Sequence, residues 1–143
     1  MFKMKVYTEE ITIPTSKDID LVNITEKVRA MVKKSEILEG MCCVYSQHTT
    51  TAIIINENEA GLLKDIVTKI SHDFPKHAGW EHDRHDNNAH SHLAATYIGS
   101  SKMLPVVNGK IALGTWQSVF FVELDGPRTR SVIIQIMGKG KET

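Results

Sequence analysis

The sequence predicts an α+β domain with antiparallel sheets and with helices packed on one side. Strand-like segments occur at the start, in the middle and in the last third of the chain, and segments with helical periodicity separate them. With 143 residues, the chain is long enough to bury one core without help from disulfides. We therefore expect a single domain over residues 1–143.

The first half of the chain contains three predicted strands and two predicted helices. Residues 2–13 mix β-branched and aromatic residues with charges, which favours a half-exposed strand. Apolar residues at helical spacing from Leu21 to Met31 predict a helix capped by Asp20 or Asn23. The runs MCCVYSQ and TTAIIINE predict central strands, and the strongest amphipathic pattern in the chain predicts a helix over residues 59–73.

The second half predicts a loop, a short helix and four strands. The loop begins in the segment WEHDRHDNNAHSHL, and the helix that follows it ends at Gly99. The strands are KMLPVV, KIALG, SVFFVELD and RSVIIQIMG. Asn108 and Gly109 predict a hairpin turn between the first two of them, and DGPR predicts another turn.

Composition restricts the classes of partner. The 17 basic and 17 acidic residues give no net charge, so no global charge favours nucleic acid or an anionic membrane. No apolar run approaches the roughly 20 residues that span a bilayer, and the start does not resemble a secretory signal. Cys42 and Cys43 are adjacent and predict small buried residues in a reducing compartment. We expect a cytoplasmic protein that binds neither nucleic acid nor membrane.

Four of the seven histidines and two aspartates lie in residues 80–93. Imidazole is a common ligand for zinc and similar ions, so this segment predicts a metal or catalytic site. The alternative is a solvated polar loop with one structural histidine. His90 and His92 are two residues apart on a predicted helix, so at most one of them is expected to face the same site as His82 and His85.

Two further groups of polar residues are candidates for chemistry. His48 lies between two predicted strands and is followed by Thr49, Thr50 and Thr51, whereas Asn56, Glu57 and Glu59 follow the second strand. His48 alone could equally cap a turn.

A third group supplies hydroxyl and cationic donors suited to phosphate: Thr49 to Thr51, Ser100, Ser101, Lys102, Arg128 and Arg130. The alternative is that these are ordinary polar residues of surface loops. In GTWQ, Trp116 is typical of a core or interface aromatic residue rather than of a ligand platform.

The segments QHTTTAIIINENE, EHD, AHSHL and SSKMLPVVNGKIALGTWQSVFFVELDGPR resemble successive blocks of the YjbQ-like family, over about residues 5 to 138. Members are described as secondary thiamine-phosphate synthases. The resemblance implies a β-sandwich with helices, a homotrimer, a polar pocket near the subunit interface and often a bound metal ion. It also implies an enzyme that joins a hydroxymethylpyrimidine pyrophosphate to a thiazole phosphate.

The resemblance also implies roles for particular residues. His48, His82 and His92 become the candidate ligands of a divalent metal ion, zinc or similar. Candidate catalytic residues are Glu57, Asp86 and Gln117. Candidate residues for binding a small phosphorylated metabolite are Thr49, Asn56, Lys102, Thr115 and Arg128. The sequence HDNNAH departs from the DGNA form of this loop, so the family pattern does not match this chain at Asp86 and Asn87.

The sequence leaves three candidate functions open. The first is the thiamine-phosphate synthase, in which a cation neutralises the charge that develops on the leaving pyrophosphate. The second is a trimeric module that binds a metal or a phosphorylated metabolite without turnover. The third is a metal-assisted phosphate-ester hydrolase that uses the same residues.

Overall fold

The structure is a computed structural model, and it describes residues 3–141 of the chain. It contains eight strands, three α-helices and one short 3-10 helix within that range. The strands are β1 (Lys3–Pro14), β2 (Asp20–Asn23), β3 (Ile37–Tyr45), β4 (Thr51–Glu57), β5 (Ser101–Val107), β6 (Lys110–Ile111), β7 (Gln117–Glu123) and β8 (Thr129–Gly140). The helices are α1 (Thr25–Ser35), α2 (Ala60–Asp73) and α3 (Ala89–Ile98), and the 3-10 helix is Glu81–Arg84.

The strands form two antiparallel sheets, as the predicted fold class requires. The large sheet has the order β1-β8-β3-β5-β6, and the small sheet has the order β2-β7-β4. Asn108 and Gly109 join β5 to β6 with φ of 51° and 74°, which is the pair of positive angles that a tight hairpin turn needs. The predicted α+β class is therefore confirmed, and so is this turn.

The small sheet is buried on both faces. Val119 and Phe121 of β7 face the large sheet and α1, where they join the main core. Val122 points the other way, into a second core with α2 and α3. This alternation follows from the period of two in a strand, and it explains why β4 and β7 are almost continuously apolar.

A buried ion pair joins the two sheets at one end of the main core. Glu123 of β7 is fully buried and Arg130 of β8 is 8% exposed. Nε and Nη2 of Arg130 donate to the two carboxylate oxygens of Glu123 at 2.8 and 2.6 Å. Thr15 donates to the same carboxylate, and Thr50 accepts from Arg130, both at 2.8 Å. Both charges are therefore paired and hydrogen-bonded, as buried charges must be.

The pKa of Glu123 reflects the balance between burial and pairing. Desolvation acts to raise this pKa, but the hydrogen bonds from Arg130, from the Asp125 N–H and from Thr15, together with the Arg130 charge, lower it below its ordinary value. The ionised form is thus the one that the fold stabilises.

One predicted helix begins later than the sequence pattern indicates. Leu21 and Val22 were expected in the first helix, but they form β2 and pair with Val122 and Phe121 of β7. Asn23 keeps part of its predicted role, because its Oδ1 accepts hydrogen bonds from the backbone and the hydroxyl of Thr25. The alternative in which Asp20 caps the helix is wrong, because pairing with a distant strand overrides local helical spacing, whereas a helix that starts after Asn23 agrees with the structure.

The other boundaries agree with prediction to within a few residues. The helix expected over residues 59–73 is α2, and Glu59 caps it by accepting from the Gly61 and Leu62 N–H groups. Residue 2 of the first predicted strand, and the ends of the predicted domain, lie outside the described residues. Among residues 3–141, no helix combines the length and the apolar character that crossing a membrane requires.

Replacing Glu123 tests the ion pair between the sheets. Glu123→Gln leaves the buried guanidinium of Arg130 without its counter-charge, so we expect the free energy of unfolding in urea at pH 7 to fall by about 3–5 kcal/mol. Because the pKa of Glu123 is lowered on folding, this stability is present above the ordinary carboxyl value of 4.5 and is lost as the pH falls below it. The free energy of unfolding of Glu123→Gln should therefore depend less on pH below 4.5 than that of the wild type.

Asp73→Asn is the matched control, since Asp73 pairs with Lys69 on the exposed surface of α2. Equal urea midpoints for the wild type and Glu123→Gln would show that the ion pair does not stabilise the fold.

Candidate functional site

The predicted strand-end site exists as a polar cleft of about 380 Å³ between the ends of β3 and β4 and the side of α3. His48 and His92 both line it, although they are 44 positions apart in the chain. The hydroxyl residues Thr49, Thr96 and Ser100 line it as well. The structure thus brings two of the three predicted histidine ligands and one predicted substrate-binding residue into one cleft.

His48 is fixed by the large sheet. Strand β3 ends at Tyr45, which pairs with Ile133, so the backbone of Ser131 lies just beyond that ladder. The Ser131 N–H donates to Nε2 of His48 at 3.1 Å. Nε2 must therefore carry a lone pair, and the proton of the neutral ring must be on Nδ1. Burial, and next the charge of Arg130, lower the pKa of His48, which favours this neutral form.

This hydrogen bond limits what His48 can do. Metal coordination through Nε2 would compete with the Ser131 N–H for the same lone pair. Coordination through Nδ1 would move the ring proton to Nε2, where it would face the Ser131 N–H. His48 is therefore suited to donating a hydrogen bond from Nδ1 rather than to binding a metal ion.

The three threonines after His48 have separate roles. Thr49 is exposed and lines the cleft. Thr50 is buried and accepts from Arg130, whereas the hydroxyl of Thr51 lies 2.5 Å from that of Ser46. Thr49 is therefore the exposed hydroxyl of the three; Thr51 also lines the cleft, but its hydroxyl is paired with Ser46.

His82 reaches this region from the 3-10 helix. Its ring packs edge-on against that of His92, with 4.7 Å between the ring centroids. Its Nε2 lies 3.1 Å from Oδ1 of Asn88. Since the Asn88 amide nitrogen donates to Asp125 at 2.9 Å, its oxygen faces His82 and accepts the Nε2 proton. Nδ1 of His82 is left with the lone pair.

Arg128 extends the same network. Its Nη2 and the Asn88 amide both donate to Oδ2 of Asp125, and its Nε donates to the Asp125 backbone oxygen at 2.8 Å. Arg128, a predicted phosphate-binding residue, thus acts on the site through Asp125 and Asn88. The connection gives His82 a fixed ring orientation.

The remaining residues of the histidine-rich segment spread out around this group. The His85 ring lies 6.4 Å from that of His82. Asp86 is exposed, and its backbone N–H donates to the carbonyl of His82. His90 faces away from His92 into a separate cavity, as their spacing on one helix requires. Burial, and next the charge of Lys76, lower the pKa of His90.

The other predicted residues lie at the opposite end of the small sheet. Glu57 pairs with Gln117 at one end of β4 and β7, whereas Thr51 pairs with Glu123 at the other. Six residues of strand separate the two ends, which is about 20 Å. Asn56 and Thr115 belong to the far end, and the structure does not bring this group to His48.

Lys102 is also separate from the cleft. It lies on β5 opposite Val44 and lines an apolar groove of about 530 Å³ together with Asn56 and Ile98. Trp116 was expected to be a core or an interface residue; it is 73% exposed, so it is not a core residue, and the interface alternative stays a prediction. Within residues 3–141, no group of three or more His, Cys, Asp and Glu side chains is arranged to hold a metal ion.

Sequence reasoning missed the residues that position the site. Asn88 and Asp125 orient His82, and Ser131 orients His48 through its backbone. Arg130 was a candidate hydrogen-bond donor to phosphate, but its guanidinium is buried and donates to the Glu123 carboxylate instead. The DGPR turn could have drawn attention to Asp125, whereas a backbone N–H gives no sequence signal at all.

Comparisons with known proteins agree with this fold. The model of the family described as "UPF0047 protein YjbQ-like" matches residues 9–139. A UPF0047 protein of Methanothermobacter thermautotrophicus is 46% identical over 95% of each chain. One from Archaeoglobus fulgidus is 47% identical over 90% of this chain and 99% of its own.

Solved structures show the same similarity. A YbjQ-like protein of unknown function from Sulfolobus solfataricus superposes with a TM-score of 0.94 and is 44% identical, over 95% of this chain and 99% of its own. A hypothetical protein from Aeropyrum pernix gives a TM-score of 0.90 at 39% identity, over 92% of this chain and 98% of its own.

These comparisons correct the expected activity. The curated relatives carry the description UPF0047 protein, and the Sulfolobus structure is described as being of unknown function. None of these descriptions indicates thiamine-phosphate synthase activity, so the functional prediction is wrong as an inference from resemblance. The predicted family is confirmed, and the chain belongs to the UPF0047 YjbQ-like family.

Proposed function

We propose that the cleft between His48 and His92 binds a small phosphorylated metabolite. The observation that carries this proposal is the convergence of two imidazoles and several hydroxyl groups on one polar cleft. Its volume of about 380 Å³ lies within the roughly 300–1,000 Å³ of small-molecule sites. A phosphate group needs several hydrogen-bond donors that converge, and this lining supplies them.

His48 supplies a directed donor. With its Nε2 lone pair occupied by the Ser131 N–H, the neutral ring has its one proton on Nδ1. That N–H can donate to a phosphate oxygen beside the hydroxyl of Thr49. Because the ring is held by the backbone of β8, little side-chain entropy is lost when a ligand binds.

The proposal also includes an enzymatic role, in which His82 and His92 provide acid–base catalysis on this ligand. Asp125 and Asn88 hold His82 so that its Nδ1 keeps a lone pair. Imidazoles are the most frequent general acids and bases at neutral pH. In this arrangement the lone pair of His82 would accept a proton from a hydroxyl group of the ligand that lies beside the ring of His92.

A divalent metal ion is the second candidate ligand, and the contact between His82 and His92 supports it. A metal-binding histidine commonly donates its other ring N–H to an oxygen acceptor, as His82 does to Asn88. Two imidazoles on one zinc ion have centroids on the order of 5 Å apart, and these lie 4.7 Å apart. His82 and His92 would hold the ion, which supplies positive charge next to a phosphate.

The proposal also includes assembly as a homotrimer, a state implied by the resemblance to the family. The outer face of the large sheet supports self-association. Val6, Met137 and Met41 are register neighbours across three strands, and all three are exposed. Met4 and Met103 extend the same exposed apolar face. Contiguous apolar surface of this kind is typical of contacts between proteins.

The protonation state of His48 can be measured directly. We expect nitrogen-detected NMR to show the His48 proton on Nδ1 and a titration midpoint below 6.5, since burial and the Arg130 charge lower the pKa. A lowered histidine pKa means that this group contributes stability above 6.5 that is lost as the pH falls through the folded value. An Nε2 proton, or a midpoint above 6.5, would contradict the assigned role.

Ligand binding can be tested by calorimetric titration with inorganic phosphate and glycerol phosphate. We expect saturable binding to the wild type, weakened about tenfold or more by Thr49→Val and by His92→Ala, because each removes a donor to a charged oxygen. His72→Ala is the matched control, since His72 lies exposed on α2. Equal affinity in the wild type and both cleft variants would overturn the proposal.

Titration with zinc in place of phosphate tests the metal. His82→Ala should abolish zinc binding and His72→Ala should retain it. Zinc binding that survives His82→Ala would remove the metal from the proposal while leaving the phosphate result intact.

Light scattering tests the assembly. We expect a mass three times that of the 16.0 kDa chain, and dissociation when Val6→Glu and Met137→Glu place charges on the outer face of the large sheet. Thr68→Glu on the exposed side of α2 is the control. A wild-type mass of one chain, or a trimer that persists in the double variant, would contradict this part.

A further inference from the structure

A second cavity lies on the opposite side of α3 from the cleft. Its volume is about 330 Å³, and α2, α3 and the segments before β2 and after β7 enclose it. His90 lines this cavity, whereas His92, two residues further along α3, lines the cleft. The two spaces therefore share a helix but no lining residue among those that the structure describes.

His90 has an unused hydrogen-bonding atom. Its side chain is only 7% exposed, and its Nε2 lies 3.3 Å from the hydroxyl oxygen of Ser91. That hydroxyl donates to the Leu124 carbonyl at 2.6 Å, so it accepts from Nε2–H rather than donating to it. Nδ1 is then an acceptor, and it has no hydrogen-bond partner among residues 3–141.

A buried polar atom without a partner is unusual in a folded protein and destabilises it. His90 lines the cavity with Nδ1 itself covered, so a molecule that carries an N–H or O–H group can supply the missing donor after a small turn of the His90 ring. His90 thus gives the cavity one specific polar contact in addition to its shape.

The other residues that line the cavity favour a ligand whose main part is apolar. Ile70, Phe74, Ala94 and Leu124 line the cavity and belong to the smaller core or pack against it. At the surface, Lys76 and Asp18 form an ion pair, so their charges cancel. Mostly apolar walls with one or two placed polar groups are typical of small-molecule sites.

We propose that this cavity is a second binding site, which takes a small uncharged apolar molecule carrying one hydrogen-bond donor to His90. Its volume suits a molecule with one or two fused rings, such as indole. The site is separate from the phosphate cleft, and its ligand is of a different chemical class, so the proposal goes beyond the proposed function.

Two matched probes test the polar contact. Indole has an N–H donor, whereas 1-methylindole has the same rings, greater apolar surface and no donor. In calorimetric titrations of the full chain we expect indole to bind about 2- to 12-fold more tightly than 1-methylindole, which is the net effect of one hydrogen bond. Burial of apolar surface alone would give the opposite order.

Three variants locate the binding. His90→Leu should keep binding of both probes but remove the preference for indole. Ser71→Phe places a large ring at an exposed position that lines the cavity, and it should abolish binding of both. His92→Ala, in the other cleft, should change neither affinity.

Several results would overturn the proposal. They are no saturable binding of indole to the wild type, equal affinities for the two probes, a preference that survives His90→Leu, or binding that is unchanged by Ser71→Phe. If His90→Leu does not fold, the two probes on the wild type and the exposed Ser71→Phe variant still decide the question. Loss of phosphate binding with intact indole binding would reject only the proposed function.

Discussion

The buried pair of Glu123 and Arg130 is the interaction on which the rest of the structure depends. It is the point at which the small and large sheets are joined by charge rather than by apolar packing alone. Desolvation of two charges is costly, and a bidentate geometry with further hydrogen bonds from Thr15 and to Thr50 offsets that cost. Such a pair fixes the relative position of two strands more narrowly than interchangeable apolar contacts do.

The fixed relative position of β7 and β8 also determines where the residues of the cleft lie. Thr50 holds the turn between β3 and β4 against Arg130, so the neighbouring residues His48 and Thr49 have defined places. The backbone of Ser131, next to Arg130 on β8, then sets the tautomer of His48. Next to the cleft, Asp125 lies two residues after Glu123, accepts from Asn88 and thereby orients His82, whose ring contacts that of His92. The positions of His48 and of His82 therefore both depend on residues close in sequence to Glu123 and Arg130.

Local patterns predicted most of the fold and part of the site. Helix α2 and the turn at Asn108 and Gly109 follow from periodicity and turn chemistry, which act within a few residues. Strand β2 could not be predicted, because Leu21 and Val22 become a strand only by pairing with β7. Similarly, the sequence grouped Glu57 with His48 because both flank one strand, but a strand separates its two ends by its whole length. The buried role of Arg130 depends on Glu123, seven residues away on another sheet, and no local pattern shows it.

In the proposed function, the phosphorylated ligand binds at the end of the small sheet near Glu123 and not at the far end near Gln117. The most direct measurement is a crystal structure of the protein grown with glycerol phosphate. We expect the phosphate to lie in the cleft, with one oxygen accepting from Nδ1–H of His48 and another from the hydroxyl of Thr49. Phosphate bound instead beside Glu57 and Gln117, with the His48 cleft holding only solvent, would contradict it.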